Sequence, residues 1–113
     1  MKDLLIKTLE ALGYPVKLQG SIADDEPYPE SFITFFTTDS TEQDFLDGIP
    51  HGTQWHYTVI FYTSNPALMS TVPTQIYNAM KAAGFIPQGK GRDIPSDEPT
   101  HTGWVNEYLY LEI

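Results

Sequence analysis

Two long segments rich in β-branched and aromatic residues constrain this chain more than any other feature. The first covers residues 32–38 (FITFFTT) and the second covers residues 53–63 (TQWHYTVIFYT). Because such residues suit a pleated, half-buried surface, we expect two long strands at the centre of an antiparallel sheet. Residues 39–52 between them are polar and acidic, which predicts a long, irregular connection. A connection of about 14 residues is longer than compact domains usually contain, so it is a candidate contact arm.

Side-chain alternation separates the two faces of the second segment, because successive residues of a strand point to opposite sides of the sheet. One face is aromatic and aliphatic, which predicts that it faces the core: Trp55, Tyr57, Val59 and Phe61. The other face mixes polar with apolar residues: Gln54, His56, Thr58, Ile60 and Tyr62. The first segment carries apolar residues on both faces, which indicates a central strand.

The spacing of leucines predicts an N-terminal helix over residues 2–12. Leu5, Leu9 and Leu12 recur at i, i+4 and i+7, so they form one apolar stripe. Gly13 follows as a residue that can adopt the left-handed conformation closing a helix, and Pro15 prevents the helix from resuming.

A second helix is predicted over residues 66–83. Asn65 is a capping residue and Pro66 suits the first helical position. Pro73 conflicts with this prediction, because proline inside an established helix costs about 3 kcal/mol and kinks it. Either the helix bends at Pro73, or it starts near Thr71 and residues 66–70 form a separate turn.

These elements predict a single α+β domain over residues 1–113. The remaining strands are a short edge strand at residues 16–19, a weak strand at 85–88 and a last strand at 104–113. We therefore expect a mostly antiparallel sheet of four to five strands with two helices packed on one face. Hydrophobic residues make up 41% of the chain, which provides for one core but not for a second.

The charge balance limits the partners that the surface can attract. The chain has 6 basic and 15 acidic residues, a formal net charge of -9. Binding to phosphates of nucleic acids needs clustered Lys and Arg, and the only basic cluster, Lys90-Gly91-Arg92, is too short. The same balance disfavours anionic membranes. We expect neither direct nucleic-acid binding nor a membrane partner.

Targeting signals and cysteine chemistry are not indicated. The chain has no cysteine, which excludes disulfides and thiolate chemistry. Residues 1–6 lack the apolar run of a signal peptide, and no stretch approaches the ~18 apolar residues of a membrane span. We expect a soluble protein made in the cytoplasm.

The residues capable of chemistry form no recognisable catalytic or metal-binding pattern. His51, His56 and His101 are dispersed along the chain, whereas a metal site needs three or four converging ligands. The carboxylate runs at residues 24–26 and 97–98 stand beside prolines in predicted loops, where solvation keeps the carboxylates ionised. No serine has a Gly-x-Ser-x-Gly context, and no glycine-rich phosphate loop occurs. We predict no catalytic residue, no metal and no cofactor, and therefore not an enzyme.

Several short segments, in their order along the chain, carry a family resemblance. They are LGYPV after the first helix, EPYPESFITFF, an acidic connection, HYTVIFYTSNP, MKAAGF at the end of the second helix, and EYLYLEI. In these the chain resembles the small tail-terminator proteins of long-tailed phages and prophages of Gram-positive bacteria. This family is also described as tail-completion, head–tail joining or minor capsid-like. The likeness covers nearly the whole length, but Pro73 departs from the family's uninterrupted helix.

The resemblance implies a structural role. Such a protein would form a homo-oligomeric ring, commonly a hexamer, at the end of the tail tube. Its partners would be the tail-tube protein and the head-connector protein. It would be assembled in the host bacterial cytoplasm and reside in the virion tail. Acidic residues would then suit a lumen through which DNA slides without binding.

Two other classes of function remain open. One is a small non-enzymatic binding module, either a carbohydrate-binding or a protein-adaptor domain, because aromatic residues make up 13% of the chain. The other is an enzyme whose site lies within residues 39–52.

The candidate interface residues lie in the acidic connection: Asp44, Phe45, Leu46 and Ile49. An apolar Phe45-Leu46 pair in an acidic segment is expected to be buried against something. Contact with another subunit is one possibility, and packing against the protein's own sheet is the alternative.

Overall fold

A six-stranded mixed sheet organises the part of the chain that the structure describes. The computed structural model describes residues 2–18, 29–46, 49–96 and 100–112, with the backbone alone at 41–46 and 49–51. Its elements, in chain order, are α1 (Lys2–Glu10), β1 (Val16–Leu18), β2 (Ser31–Leu46), β3 (Ile49–Thr63), a 3₁₀ helix (Pro66–Ser70), α2 (Val72–Ala82), β4 (Ile86–Pro87), β5 (Arg92–Pro95) and β6 (Thr102–Glu112).

The strand order confirms the predicted α+β class and corrects the predicted sheet. The order is β1-β2-β3-β6-β4, and β5 also pairs with β6. β1 runs parallel to β2, while the other pairs are antiparallel. The described residues therefore form six strands with one parallel pair, rather than four to five. The added strand is β5, which lies in a stretch for which the sequence predicted no strand.

The predicted irregular connection at residues 39–52 is wrong, because β2 and β3 remain paired through it. Their ladder includes Ser40↔Trp55 and Glu42↔Thr53, and it continues to Leu46↔Ile49. One register shift interrupts it, between Thr37 and Asp39. The hydrogen bonds between paired strands come from the backbone. A segment of mainly polar residues can therefore still form paired strands.

The main core lies between the helices and one face of the sheet. Leu5 and Leu9 of α1 are fully buried there, at the i, i+4 spacing read from the sequence. α2 contributes its own buried stripe, consisting of Val72, Ile76 and Met80. The sheet contributes the predicted core face of β3 and its neighbours: Ile33, Phe35, Tyr57, Val59, Phe61 and Tyr108. Both helices therefore cover the same face, as expected.

The opposite face carries a second, smaller apolar cluster. It consists of Phe32, Ile60, Tyr62 and Val105, with Phe36 and Ile94 packed against it. The ring of His101 lies edge-on to Phe32, and its Nε2 donates to the carbonyl oxygen of Pro29 at 2.8 Å. β2 and β3 thus bury side chains on both faces, which agrees with their prediction as central strands.

Proline positions settle where the second helix begins. Pro66–Ser70 forms a separate 3₁₀ helix, whose first turn is capped by Asn65 accepting from the Ala67 N–H at 3.1 Å. α2 begins at Val72, so Pro73 occupies its first turn, where the missing N–H has no intrahelical partner to lose. The alternative with a start near Thr71 is therefore confirmed, and no kink is needed.

Gly91 permits a close approach between the chain preceding β5 and strand β6. Its backbone is left-handed, with φ +95°. A Cβ at this position would overlap the Trp104 indole and lie 2.8 Å from the Val105 carbonyl oxygen. Trp104 therefore packs directly over a position that tolerates no side chain.

Gly91→Ala should destabilise the protein more than Gly13→Ala. Both glycines have similar left-handed φ angles, +95° and +92°, which an alanine disfavours by about 1–2 kcal/mol. A Cβ at Gly13 meets no described atom within 4 Å. The clash at Gly91 should add a further ~1–3 kcal/mol, measured by urea unfolding. Equal losses in the two variants would contradict the close packing.

Candidate functional site

The β2–β3 hairpin extends beyond the strands that flank it. On one side, the pairing of β6 with β3 reaches Thr53↔Glu112. On the other side, β1 pairs with β2 only at Ile33–Phe35 within the described residues. We call residues 39–46 and 49–56 the hairpin arm; β6 still flanks residues 53–56, and residues 49–52 lie beyond it. The arm makes the protein elongated, with extents of 53 × 28 × 22 Å.

The four predicted interface residues come together at the apex of the hairpin arm. Asp44, Phe45 and Leu46 are the last residues of β2, and Ile49 is the first residue of β3. Leu46 pairs with Ile49, and Phe45 pairs with Pro50. The apex pair lies ten β3 residues from Val59, about 33 Å along the strand. This distance favours an external contact over packing against the protein's own sheet.

The hairpin arm and its apex carry a single sign of charge. Residues 37–56 contain no Lys or Arg, and the acidic residues among them are Asp39, Glu42, Asp44 and Asp47. Like charges on a narrow hairpin produce a negative potential that attracts cationic surfaces and repels other acidic ones. The segment therefore combines an apolar Phe45-Leu46 pair with an anionic surround.

A shallow cavity of about 350 Å³ lies at the base of the hairpin arm, on the helix side of the sheet. Trp55 and Tyr57 line it with nearly parallel rings, 12° apart, whose centroids are separated by 6.3 Å. The Trp55 Nε1 donates to Glu112 Oε1 at 3.0 Å, which fixes the indole across β3 and β6. Lys2 and Asp3 of α1 complete the rim.

A second cavity, of about 300 Å³, lies between α2 and β6, and we call it the lysine–tyrosine pocket. Its lining includes Met69, Pro73, Tyr77, Asn78, Lys90 and Trp104. The Lys90 Nζ lies 4.4 Å from the centroid of the Tyr77 ring, and the Lys81 Nζ lies 5.3 Å from it. Ammonium groups at these distances are attracted by the negative face of the aromatic ring.

Sequence reasoning missed this pocket because it dismissed Lys90-Gly91-Arg92 as too short a basic cluster. The signal that could have found it is the distribution of basic residues along the chain, rather than the length of one basic cluster. Of the 6 basic residues in the chain, Lys81, Lys90 and Arg92 fall within twelve consecutive positions, although the chain as a whole is acidic. The fold brings Lys81 and Lys90 to one tyrosine.

The two histidines whose side chains the structure describes, His56 and His101, lie apart from each other. His56 lies on β3, and His101 Nε2 is engaged by Pro29, which leaves its Nδ1 to accept from the Thr100 hydroxyl at 2.9 Å. The side chain of His51 and the carboxylate runs at 24–26 and 97–98 lie outside what the structure describes. In the described part of the chain, no three His, Asp or Glu side chains are grouped to hold a metal ion. No described helix has the length and apolar character needed to cross a membrane.

Comparison with protein-family models and with curated protein sequences gave no match. The likeness to phage tail-terminator proteins therefore rests on the sequence segments alone. Any function that follows from it is a proposal.

Two buried tyrosines make the free energy of unfolding depend on pH in the alkaline range. Burial raises the pKa of Tyr57 to about 12, and the nearby Glu112 carboxylate acts in the same direction. Burial also raises the pKa of Tyr108 to about 12; the charge of Tyr77 adds to this, and a hydrogen bond with Asn106 opposes it. An unfolded tyrosine ionises near pH 10, so the unfolded state releases these protons first. The free energy of unfolding should therefore fall as pH rises from about 10 to about 12.

Tyr57→Phe should reduce this alkaline loss without lowering stability at pH 7. The Tyr57 hydroxyl is buried and has no hydrogen-bond partner among the described residues, so its removal relieves an unpaired polar group. Urea unfolding of both proteins between pH 7 and pH 12 measures the difference. An alkaline loss as steep in the variant as in the wild type would show that the Tyr57 phenol is not responsible.

Proposed function

We propose that this protein is a structural, non-enzymatic tail-terminator or head–tail joining protein of a phage or prophage. The observation that carries the proposal is the hairpin arm, which places the anionic and apolar apex residues away from the protein's own core. An element of this kind suits contact with another molecule. The resemblance to tail-terminator proteins supports a phage tail as the assembly in which that contact would be used.

Ring formation follows if the arm of one subunit engages a different surface of the next. Such a heterologous contact closes into a ring when its rotation per subunit fits, and otherwise gives an open filament. The ring, commonly a hexamer in the family resembled, would cap the tail tube and then meet the head connector. The tail-tube and head-connector proteins are the proposed partners, and the virion tail is the proposed location.

The negative charge supports the passage of DNA through such a ring. A formal net charge of -9 repels phosphates at short range, so a channel lined by this protein would not retain the DNA that slides through it. Direct nucleic-acid binding is not part of the proposed function.

A second candidate function is a small binding module, and the cavity at the base of the hairpin arm favours it. Trp55 is partly exposed beside the buried Tyr57, and an aromatic ring exposed in a shallow cavity suits stacking against a sugar ring. A glycan array tests this candidate. Tight binding that Trp55→Ala abolishes would favour the module over the tail terminator.

Replacing Phe45 and Leu46 by serine should abolish ring formation and tube capping while leaving the fold intact. The reason is that both residues lie at the apex, about 33 Å from the centre of the sheet. Electron microscopy of the chain, alone and with its proposed tail-tube partner, measures ring formation and capping. Circular dichroism checks the fold.

Leu18→Ser is the matched control, because Leu18 is an exposed leucine, with 49% of its surface accessible, that lies on β1 and not at the apex. It should form rings and cap tubes like the wild type. Failure of the wild-type chain to form rings or cap tubes under any condition would overturn the proposed function.

A further inference from the structure

We infer that the lysine–tyrosine pocket receives the hairpin apex of a second copy of this chain. The inference deepens the proposed function and rests on it, because it identifies the two surfaces that would join neighbouring subunits. It assigns a binding role to Tyr77, Lys90 and Trp104.

The pocket combines apolar and aromatic surface with two polar side chains and a lysine charge, which suits a ligand that is partly apolar and partly anionic. Met69 and Pro73 supply aliphatic surface, and Tyr77 and Trp104 supply aromatic surface. Lys90 adds a positive charge at the rim, and Lys81 lies on the same tyrosine ring. Among the described residues, the contact recorded for each of these two ammonium groups is the Tyr77 ring, so the pocket presents positive charge beside an aromatic face.

The apex has the complementary composition. Phe45 and Leu46 are adjacent large apolar residues, and Asp44 and Asp47 stand on either side of them. A cavity of about 300 Å³ is larger than one aromatic side chain, so a single apex residue fits with its neighbours at the rim. Opposite charges at a rim mainly raise the association rate and fix the orientation, while the buried apolar contact supplies affinity.

The geometry requires the apex to come from another molecule. Trp104 of the pocket pairs with Phe61, near the end of β3, whereas the apex pair begins β3 at Ile49. Twelve residues of extended strand separate the two positions, about 40 Å. A hairpin paired along its length cannot bend back over that distance. Apex and pocket therefore lie toward opposite ends of one subunit, as a head-to-tail contact requires.

Complementing variants test the inference by sedimentation velocity over a concentration series. The apex variant, Phe45→Ser with Leu46→Ser, retains its pocket, and the pocket variant, Lys90→Glu, retains its apex. Each alone should lose self-association, with the dissociation constant raised at least tenfold. An equimolar mixture should form dimers and stop there, because only one productive contact is possible.

Lys7→Glu is the matched control for charge reversal, since Lys7 is an exposed lysine on α1. It should associate like the wild type. Fluorescence should be measured for the wild type and for the apex and pocket variants in a Trp55→Phe background, where Trp104 is the only tryptophan. Docking of an apex should then change the Trp104 emission, and rising salt should weaken it because charged groups are screened.

Two outcomes would overturn the inference. One is a Lys90→Glu protein that associates as strongly as the wild type, and the other is a wild-type chain that stays monomeric both alone and with the tube protein. The first outcome leaves the proposed function standing if the variant still caps tubes. Conversely, dimers from the variant mixture without any tube capping would support the docking contact and remove the tail-terminator function.

Discussion

Continuous backbone pairing between β2 and β3 is the constraint on which the rest of this structure depends. These two strands are the longest elements of the chain, and they run side by side from Ser31↔Thr63 to Leu46↔Ile49. One half of the ladder is buried on both faces and forms the centre of the domain. The other half leaves the domain as the hairpin arm. A single ladder therefore supplies both the frame of the core and the element proposed to contact other molecules.

The helices stabilise the buried half without constraining the arm. α1 and α2 pack on one face through residues spaced four apart. A Schellman motif with Gly84 as its C′ residue closes α2, and in it the Phe85 N–H donates to the Met80 carbonyl oxygen at 2.9 Å. Phe85 then enters the same core. Stability and the proposed docking contacts thus depend on separate parts of the molecule, which is why surface changes at the apex and at the lysine–tyrosine pocket should leave the fold unchanged.

Burial patterns in the sequence predicted the parts of this fold that depend on burial. The leucine stripe of α1, the core face of β3 and the α+β class follow from apolar periodicity. The hairpin arm was missed because backbone hydrogen bonds hold its strands together. Such bonds require no particular side-chain pattern, so a polar segment gives little sign of them in the sequence. The Asp47-Gly48 dipeptide, typical of two-residue hairpin connections, was the available signal. The clustering of Lys81, Lys90 and Arg92 was the only sequence signal of the lysine–tyrosine pocket, because its lining comes from positions between 69 and 104 that meet only in the fold.

The register shift between Thr37 and Asp39 lies where the hairpin arm leaves the domain. There the hydroxyl of Thr38 is hydrogen bonded to that of Thr58, which ties the irregular residue to the neighbouring strand. An extra residue in one strand bends it and increases its right-handed twist. In a closed assembly built through the arm, the angle between neighbouring subunits would follow from this bend. One inserted residue would then govern the curvature and the circumference of that assembly.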